Sequence, residues 1–264
     1  AANGSGSSYA PGATFTMGTS NVTLYALWAI VSGSNLTSVP LSATVVVIPE
    51  TVNYFGLVFQ NHPNLTSVTI PASVTAIEPE AFLNCPQLTT IVSNHPTLQV
   101  INGALVDTVS TRLMAVPAKL SGPFAIPEGI YNIEKYAFDH CTELSSITIP
   151  ASLGYIGEYA FSGLLSLISI TIPSTVTNIG SYAFYDSSIA GIVIPSSVTS
   201  IGSNAFESCG QLTDVTMQAS TPPSLGTTVF TAPLPWIHVP NSAAVTAYSA
   251  APNWSAYSSR IVTP

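Results

Sequence analysis

Hydrophobic positions recur along this chain with a period of 22 or 23 residues, and a proline follows each group of them. In most units, apolar residues stand six, three and one positions before the proline, as Leu144, Ile147 and Ile149 do before Pro150. The Ile-Pro anchors fall at Pro49, Pro71, Pro127, Pro150, Pro173 and Pro195. A phenylalanine keeps the same period at Phe59, Phe82, Phe138, Phe161, Phe184 and Phe206. Self-similarity with a period of about 20 to 29 residues predicts a solenoid, because each unit is too small to bury its apolar edge alone.

The three apolar positions predict one parallel strand per unit, with these side chains pointing inward. Two further examples are Leu65, Val68 and Ile70, and Leu167, Ile170 and Ile172. Proline then ends the strand, since it cannot donate to a ladder. A shorter alternating run follows each proline, at residues 74–77, 176–179 and 198–201. This run predicts a second strand or extended segment on the opposite side.

Alanine precedes the phenylalanine in five units, at Ala81, Ala137, Ala160, Ala183 and Ala205. We expect the phenylalanine rings to stack as a core column, because alanine leaves room for them. Cys85, Cys141 and Cys209 each follow the phenylalanine by three positions, in the phase of His62 and Leu164. This shared phase favours buried structural thiols over a nucleophile or a metal-ligand set.

The combined unit, Ile-Pro-x-Ser-Val-Thr-x-Ile-Gly-x-x-Ala-Phe-x-x-Cys-x-x-Leu-x-x-Ile, resembles the BspA-like, Treponema pallidum-type leucine-rich repeat. The resemblance extends over residues 41–264. It implies a β-rich leucine-rich-repeat solenoid, with parallel strands on the concave face, short strands or turns on the other side, a β-hairpin insertion and a small C-terminal cap with a short helix. It also implies attachment of a bacterial surface to host matrix proteins or other cells.

An insertion interrupts the solenoid, which we assign to residues 31–221. The insertion lies at about residues 93–126, and its strand-like runs at 100–107 and 112–117 predict a β-hairpin around a Thr/Ser turn. Family members carry a long variant repeat in the corresponding place. The sequence Asn102-Gly103-Ala104-Leu105-Val106 matches that variant less well than the regular repeats match theirs.

The two ends of the chain also depart from the repeat. Residues 222–264 resemble the family's C-terminal cap, with a short helix at 242–250 and Asn241 as its N-cap. Residues 1–30 resemble the trailing half of a Listeria/Bacteroides-type B repeat, a module found in tandem on bacterial surface proteins. We therefore expect the chain to be part of a longer modular protein.

The composition removes several classes of function. Only 6% of the 264 residues are charged, and four Lys/Arg against twelve Asp/Glu give a net charge of −8. No basic stripe can neutralise phosphates, so we expect no nucleic-acid partner. No run approaches the roughly 20 apolar residues that span a bilayer, so we expect no membrane insertion.

Catalysis needs titratable side chains that converge, and these are spread along the repeats. The nearest cluster is Glu134, Asp139, His140, Cys141 and Glu143. The sequence has no glycine-rich nucleotide loop and no Gly-x-Ser-x-Gly elbow. Because stacked repeats keep distant residues apart, we expect no enzymatic activity, no metal and no cofactor.

Two surfaces are candidate binding sites. The outward positions four and two before each proline form an uncharged Ser/Thr face, with Ser67, Thr69, Thr90, Ser146, Thr148, Ser169, Thr171 and Thr216. This face either binds a partner or is polar because threonine suits an exposed strand. The second candidate is the row Tyr136, Tyr159 and Tyr182, each before Ala-Phe. These rings either contact a sugar or a protein, or stack on one another and cover the flank of the solenoid.

From these patterns we expect a non-catalytic, monomeric adhesion or protein-binding module at a bacterial cell surface or outside the cell. Its partner would be an extracellular protein, of the host matrix or of another cell, or a glycan. Two alternatives remain open: a carbohydrate-binding module of a larger extracellular protein, and a structural spacer that projects other domains.

Overall fold

The computed structural model describes residues 30–264. The module expected at residues 1–30 therefore lies, apart from Ile30, outside the described residues. From Ile30 onward the chain winds as a solenoid, in which most repeats place a longer strand on one side and a strand of two residues on another. This arrangement confirms the predicted fold class.

The longer strands lie parallel to one another in three sheets. The first sheet contains β3 (Val45–Val47), β5 (Ser67–Ile70) and β7 (Thr90–Ser93). The second pairs β11 (Gly122–Ala125) with β13 (Leu144–Thr148). The third contains β16 (Gly191–Ile194), β18 (Asp214–Met217) and β20 (Trp236–His238), and the two-residue strand β21 (Ile261–Val262) of the cap pairs with its edge.

One predicted longer strand, at residues 167–172, is absent from these sheets. Leu167, Ile170 and Ile172 point inward and are buried, as predicted. The backbone of this coil forms only one isolated bridge, between Ser169 and Gly191. Inward packing of the three apolar side chains therefore holds the coil in line without a ladder, and the second and third sheets are separated here.

The short strands form two further sheets. One begins with the antiparallel pair β1 (Ile30–Ser32) and β2 (Asn35–Ser38) and continues in parallel with β4 (Tyr54–Phe55) and β6 (Ala76–Ile77). The other contains β8 (Leu98–Ile101), β9 (Ala104–Asp107), β10 (Arg112–Ala115), β12 (Asn132–Ile133), β14 (Tyr155–Ile156), β15 (Asn178–Ile179), β17 (Ser200–Ile201) and β19 (Ser224–Leu225).

Glycines after the short strands allow neighbouring coils to approach each other closely. A Cβ atom on Gly202 would lie 2.3 Å from the backbone nitrogen of Ser181, and one on Gly226 would lie 2.2 Å from that of Ser203. Real Cβ atoms do not come so near to backbone. The Ile-Gly dipeptide of the repeat is thus a packing requirement of the stacked coils.

The insertion contains the predicted hairpin and one more turn. Strands β9 and β10 pair antiparallel, as predicted, and β8 pairs antiparallel with β9. The single run expected at 100–107 is therefore wrong. It is broken at Asn102 and Gly103, whose φ angles are 54° and 86°. Two successive positive φ angles are what a type I′ hairpin turn requires, and Asn-Gly is the dipeptide that favours it.

The phenylalanines form the predicted column in the core. Ring centroids lie 5.0 Å apart between Phe138 and Phe161, 5.3 Å between Phe161 and Phe184, and 5.1 Å between Phe184 and Phe206. The column continues to Phe230, at 5.5 Å from Phe206, which the repeat pattern did not include. The column therefore buries one large ring in each of these coils.

The insertion interrupts this column. Val116 takes the phenylalanine position there, since its N–H donates to Ala137 just as the N–H of Phe138 donates to Ala160. Phe59 and Phe82 stack at 5.7 Å on the amino-terminal side of this break. Two core clusters result, one on each side of the insertion.

The carboxyl-terminal cap covers the last coil. Helix α1 (Ser242–Ala250) begins after Asn241, whose side chain accepts a hydrogen bond from the N–H of Ala244 at 2.9 Å, as predicted. A 3₁₀ helix (Trp254–Arg260) follows. Its buried Trp254 donates from Nε1 to the carbonyl of Pro223 at 2.8 Å. Neither helix, nor any other in residues 30–264, is long and apolar enough to cross a membrane.

Candidate functional site

Several charged side chains form separate ion pairs along the solenoid. Arg112 contacts both Asp107 and Glu134 at 3.0 Å, and Lys119 contacts Glu143 at 3.2 Å. Burial opposes ionisation of Asp107, but hydrogen bonds from Ser110, Arg112 and Val109 outweigh it and lower its pKa. Nowhere in residues 30–264 do three His, Cys, Asp or Glu side chains converge as a metal site would need.

The three cysteines lie in the core, as predicted. The thiol of Cys85 donates to the carbonyl of Phe59 at 2.9 Å, and that of Cys209 to the carbonyl of Phe184 at 3.0 Å. Burial raises the pKa of Cys85 to about 11 and also raises the pKa of Cys141. These thiols are therefore protonated at neutral pH, which makes them poor nucleophiles.

Many Ser and Thr hydroxyls bond to the preceding coil. The Oγ1 atoms of Thr66, Thr89 and Thr213 each donate to a carbonyl about one repeat earlier in the chain, at 2.8 to 3.2 Å. Ser73, Ser152, Ser197, Thr75, Thr177 and Thr199 do the same at two other positions of the repeat. Much of the Ser/Thr content thus connects coil to coil.

The strand face is a different set of hydroxyls. We use this name for the outward side chains of the longer strands together with Ser169 and Thr171. Register places Ser67 beside Thr90 and Thr69 beside Val92, while Thr148 lies beside Ala125. The predicted residues Thr90, Ser146, Thr148, Ser169 and Thr171 are exposed, and Ser67, Thr69 and Thr216 are half-buried.

The hydroxyls of the strand face have little to bind within the protein. Thr90 contacts the hydroxyl of Thr89 at 3.4 Å. Across residues 30–264, the other seven predicted hydroxyls make no side-chain hydrogen bond to the protein. Val92 and Val193, exposed by 42% and 46%, lie in the same rows. The strand face therefore presents unengaged hydroxyls among exposed apolar side chains, with little charge.

The tyrosine row is packed against itself. The rings of Tyr136 and Tyr159 lie 4.8 Å apart and those of Tyr159 and Tyr182 lie 4.5 Å apart, in nearly parallel planes. Tyr185 packs edge-on against Tyr159 and Tyr182. Both faces of Tyr159 are thus covered. Burial, followed by the neighbouring phenols, raises the pKa of Tyr159 to about 12.

All three stacked tyrosines adopt a left-handed backbone. Their φ angles are 58°, 53° and 56° for Tyr136, Tyr159 and Tyr182. A bulky residue rarely adopts this conformation, which costs on the order of 1 to 3 kcal/mol. The next coil has Asn204 at this position, with φ 60°, and asparagine tolerates it better. Sequence reasoning gave no sign of this strain.

Sequence reasoning also missed the carboxyl-terminal end of the strand face. Trp236 and His238 stand four and two positions before Pro240, so the rule that found the Ser/Thr face would have found them. Register places Trp236 beside Asp214 and His238 beside Thr216. His238 donates from Nε2 to Asp214 at 3.1 Å, and the guanidinium of Arg260 lies 4.8 Å from the centre of the Trp236 ring. This end carries aromatic and charged groups that the rest of the face lacks.

Comparison with known proteins assigns the repeat. The family profile described as "BspA type Leucine rich repeat region" matches residues 53–123 and 119–233, in six copies. The chain belongs to the BspA-type leucine-rich repeat family. The resemblance read from the repeat motif is therefore confirmed for this BspA-type protein.

Solved structures of bacterial proteins share the fold of this BspA-type chain. A leucine rich cell surface protein from Faecalibacterium prausnitzii is 30% identical, with a TM-score of 0.56, over 68% of this chain and 59% of its own. The pneumococcal vaccine antigen PcpA is 16% identical, with a TM-score of 0.67, over 83% of this chain and 66% of its own. A leucine-rich repeat protein from Eubacterium ventriosum is 21% identical, with a TM-score of 0.51, over 70% and 75%.

The last two similarities show the fold alone. The chain spans 59% and 66% of the first two of these proteins, so it corresponds to part of each. No curated protein matches the chain. These findings place the BspA-type chain in a family of bacterial leucine-rich repeat proteins that includes a cell surface protein.

Proposed function

We propose that this BspA-type protein is a non-catalytic binding module at the bacterial cell surface, which attaches to an extracellular protein through the strand face. The partner would be a host matrix protein or a protein on another cell. One observation carries the proposal: most of the outward hydroxyls of the strand face are exposed and have no hydrogen-bond partner in residues 30–264, whereas those at the coil junctions bond to backbone.

Such a surface suits a weakly charged protein partner. Each free hydroxyl is both donor and acceptor, so it pairs with backbone or side-chain groups of either polarity. The exposed valines add apolar area between them, and interface cores combine apolar area with few charges. The tyrosine row offers less, because the faces of its central ring are already covered.

The test is a pair of matched double variants. Thr148→Lys with Thr171→Lys puts two charges on the strand face in neighbouring coils, and Ala151→Lys with Ser174→Lys puts two charges on exposed turns of the same coils. Binding of each variant to immobilised fibronectin, fibrinogen, laminin and collagen is measured by biolayer interferometry. We expect the first pair to weaken binding about tenfold or more, because each buried, unpaired charge costs affinity, and the second to change it by less than about twofold.

Other outcomes would reassign the function. Equal effects of the two variants would remove the strand face as the binding surface. Binding to a glycan array, without binding to any matrix protein, would support the carbohydrate-binding alternative. If Tyr159→Ala also abolished that glycan binding, the tyrosine row would be the site. If the chain bound neither the matrix proteins nor any glycan, the structural-spacer alternative would be favoured.

A further inference from the structure

The carboxyl-terminal end of the strand face differs in charge from the remainder. Parallel pairing aligns Gly191, Asp214 and Trp236 in one row across β16, β18 and β20. Arg260, the last residue of the 3₁₀ helix, directly precedes β21, which pairs with β20. Trp236 is 44% exposed, the largest aromatic surface on this face. The rows formed by β5, β7 and β13 contain only Ser, Thr and Val at the corresponding outward positions.

Arg260 is a cation without an acidic partner. Of the four Lys and Arg residues of the chain, all of which lie in residues 30–264, Arg112, Lys119 and Lys135 each contact a carboxylate. Arg260 instead lies over the indole of Trp236, at 4.8 Å from the ring centre. This cation–π contact places the guanidinium against the indole, and its N–H donors make no hydrogen bond within residues 30–264. A held guanidinium loses less entropy when it binds.

The Asp214–His238 pair influences where an anionic group can bind near Arg260. Hydrogen bonds from Thr213 and His238 lower the pKa of Asp214, so its carboxylate is ionised at neutral pH. Strand β18, which carries Asp214, and strand β21, which follows Arg260, flank β20 on opposite sides. An incoming anion is therefore repelled at Asp214 and attracted at Arg260. Guanidinium binds carboxylates through two parallel hydrogen bonds, which gives direction as well as strength.

We propose that Trp236, Arg260 and the Asp214–His238 pair form an anchor subsite of the strand face, and that this subsite takes a carboxylate side chain of the protein partner beside an apolar group. The carboxylate pairs with Arg260, and the apolar group covers the exposed part of the indole. Trp and Arg are the residue types that most often dominate the energy of protein interfaces. This inference rests on the proposed function, since it assigns a partner chemistry to one end of the same surface.

The test uses small probes and the full chain. Acetyl-Leu-Glu-Leu-amide and acetyl-Leu-Gln-Leu-amide are titrated to about 10 mM, the range suited to a single weak contact, while the indole N–H signal of Trp236 is followed by NMR. We expect the Glu peptide to bind about tenfold or more tightly than the Gln peptide, because only the Glu side chain forms the charge-assisted pair. Methyl β-D-glucuronide is the third probe, since it carries the same carboxylate on a sugar.

Three variants test the assignment. Arg260→Gln removes the charge and should abolish the preference for the Glu peptide. Arg260→Lys keeps the charge but loses the two parallel N–H donors of the guanidinium, so it should retain part of that preference. Lys119→Gln, a half-exposed cation elsewhere on the chain, should retain all of it. Equal shifts from the Glu and Gln peptides, or no shift from either, would overturn the proposal. Binding of the glucuronide but not of the Glu peptide would also overturn it and identify an acidic sugar as the ligand.

The two proposals fail in distinguishable ways. If Thr148→Lys with Thr171→Lys abolishes binding to a matrix protein but Arg260→Gln leaves it unchanged, the strand face is supported as the binding surface and the anchor subsite is rejected. If the Glu peptide binds as expected but the double lysine variant binds a matrix protein as well as the native chain does, the anchor subsite is supported and the strand face is rejected as the wider binding surface.

Discussion

The tyrosine row and the strand face both repeat one kind of side chain from coil to coil, and they use the repetition in opposite ways. In the tyrosine row the rings lie 4.5 and 4.8 Å apart, so each ring covers its neighbour. On the strand face most outward hydroxyls have no hydrogen-bond partner among residues 30–264. A repeated side chain becomes scaffold where its copies satisfy one another, and a candidate binding surface where they do not.

Side-chain shape explains the difference. Neighbouring strands lie about 4.7 to 4.9 Å apart, and the stacked rings of the tyrosine row have nearly the same spacing. Two flat rings are in contact at that distance, whereas in residues 30–264 no outward hydroxyl of the strand face bonds to one on a neighbouring strand. All three tyrosines also have a left-handed backbone, whereas none of the predicted Ser and Thr residues of the strand face has a positive φ.

The largest expected loss of stability is in the core, and it is the reference for the effects expected in the tyrosine row and on the strand face. Phe161 is fully buried between Phe138 and Phe184. Phe161→Ala should lower the free energy of unfolding by about 3 to 5 kcal/mol, through lost burial and the cavity left behind. Val116→Ala, at the phenylalanine position of the insertion, should cost about 2 kcal/mol, since it removes two methyl groups. Urea denaturation followed by fluorescence measures both, and equal, small losses would show that the rings do not form a core column.

A smaller effect is expected for the tyrosine row. Tyr159→Ala should lower the unfolding free energy by about 1 to 2 kcal/mol, because two stacking contacts are lost from a partly exposed site. Tyr159→Phe, which keeps the rings, is the control and should be nearly neutral. A loss as large as that of Phe161→Ala would place the tyrosine row in the core.

Alkaline titration gives a third signal, which is specific to Tyr159. The folded pKa of Tyr159 is about 12 and its ordinary value is 10.0. Because the folded state holds this proton more tightly, the associated stability is complete below pH 10 and is lost as the pH rises toward 12. Tyr248 also has a pKa of about 12, through burial. The difference in phenolate absorbance between the native chain and Tyr159→Phe isolates Tyr159, and a midpoint near 10 in that difference would contradict the stacked arrangement.

The smallest effect on stability belongs to the strand face. Thr148→Lys with Thr171→Lys should change the unfolding free energy by less than about 0.5 kcal/mol per site, as expected for exposed positions without special contacts. Thr66→Val, at a coil junction, should cost about 1 kcal/mol because it removes the hydrogen bond to Thr44. A marked loss of stability in the lysine variant would mean that the strand face is scaffold as well.

The repeat itself was readable because several anchors share one period. Pro150, Phe161 and Ile172 each recur in other units, so the column, the inward strands and the short strands followed from spacing. The helix after Asn241 followed from its capping residue. These features depend on local sequence and on stacking of similar units.

Other features depend on particular neighbours and were not readable in this way. The turn at Asn102 and Gly103 divides a run that looks like one strand, and only the dipeptide itself signals it. The second hydrogen-bonding role of Ser and Thr, at the coil junctions, cannot be separated by composition from the strand face. The position of Arg260 over Trp236 depends on how the cap folds back onto β20.

Hydroxyl-radical footprinting tests most directly whether the strand face or the tyrosine row is the binding surface. It compares the chain alone with the chain bound to the matrix protein that it binds most tightly. The strand face and the tyrosine row both contain aromatic side chains that hydroxyl radicals oxidise, so one experiment reports on the exposure of both surfaces. We predict that the partner slows oxidation of Trp236 and leaves that of Tyr136, Tyr159 and Tyr182 unchanged. Protection of the tyrosines with Trp236 still fully reactive would contradict it.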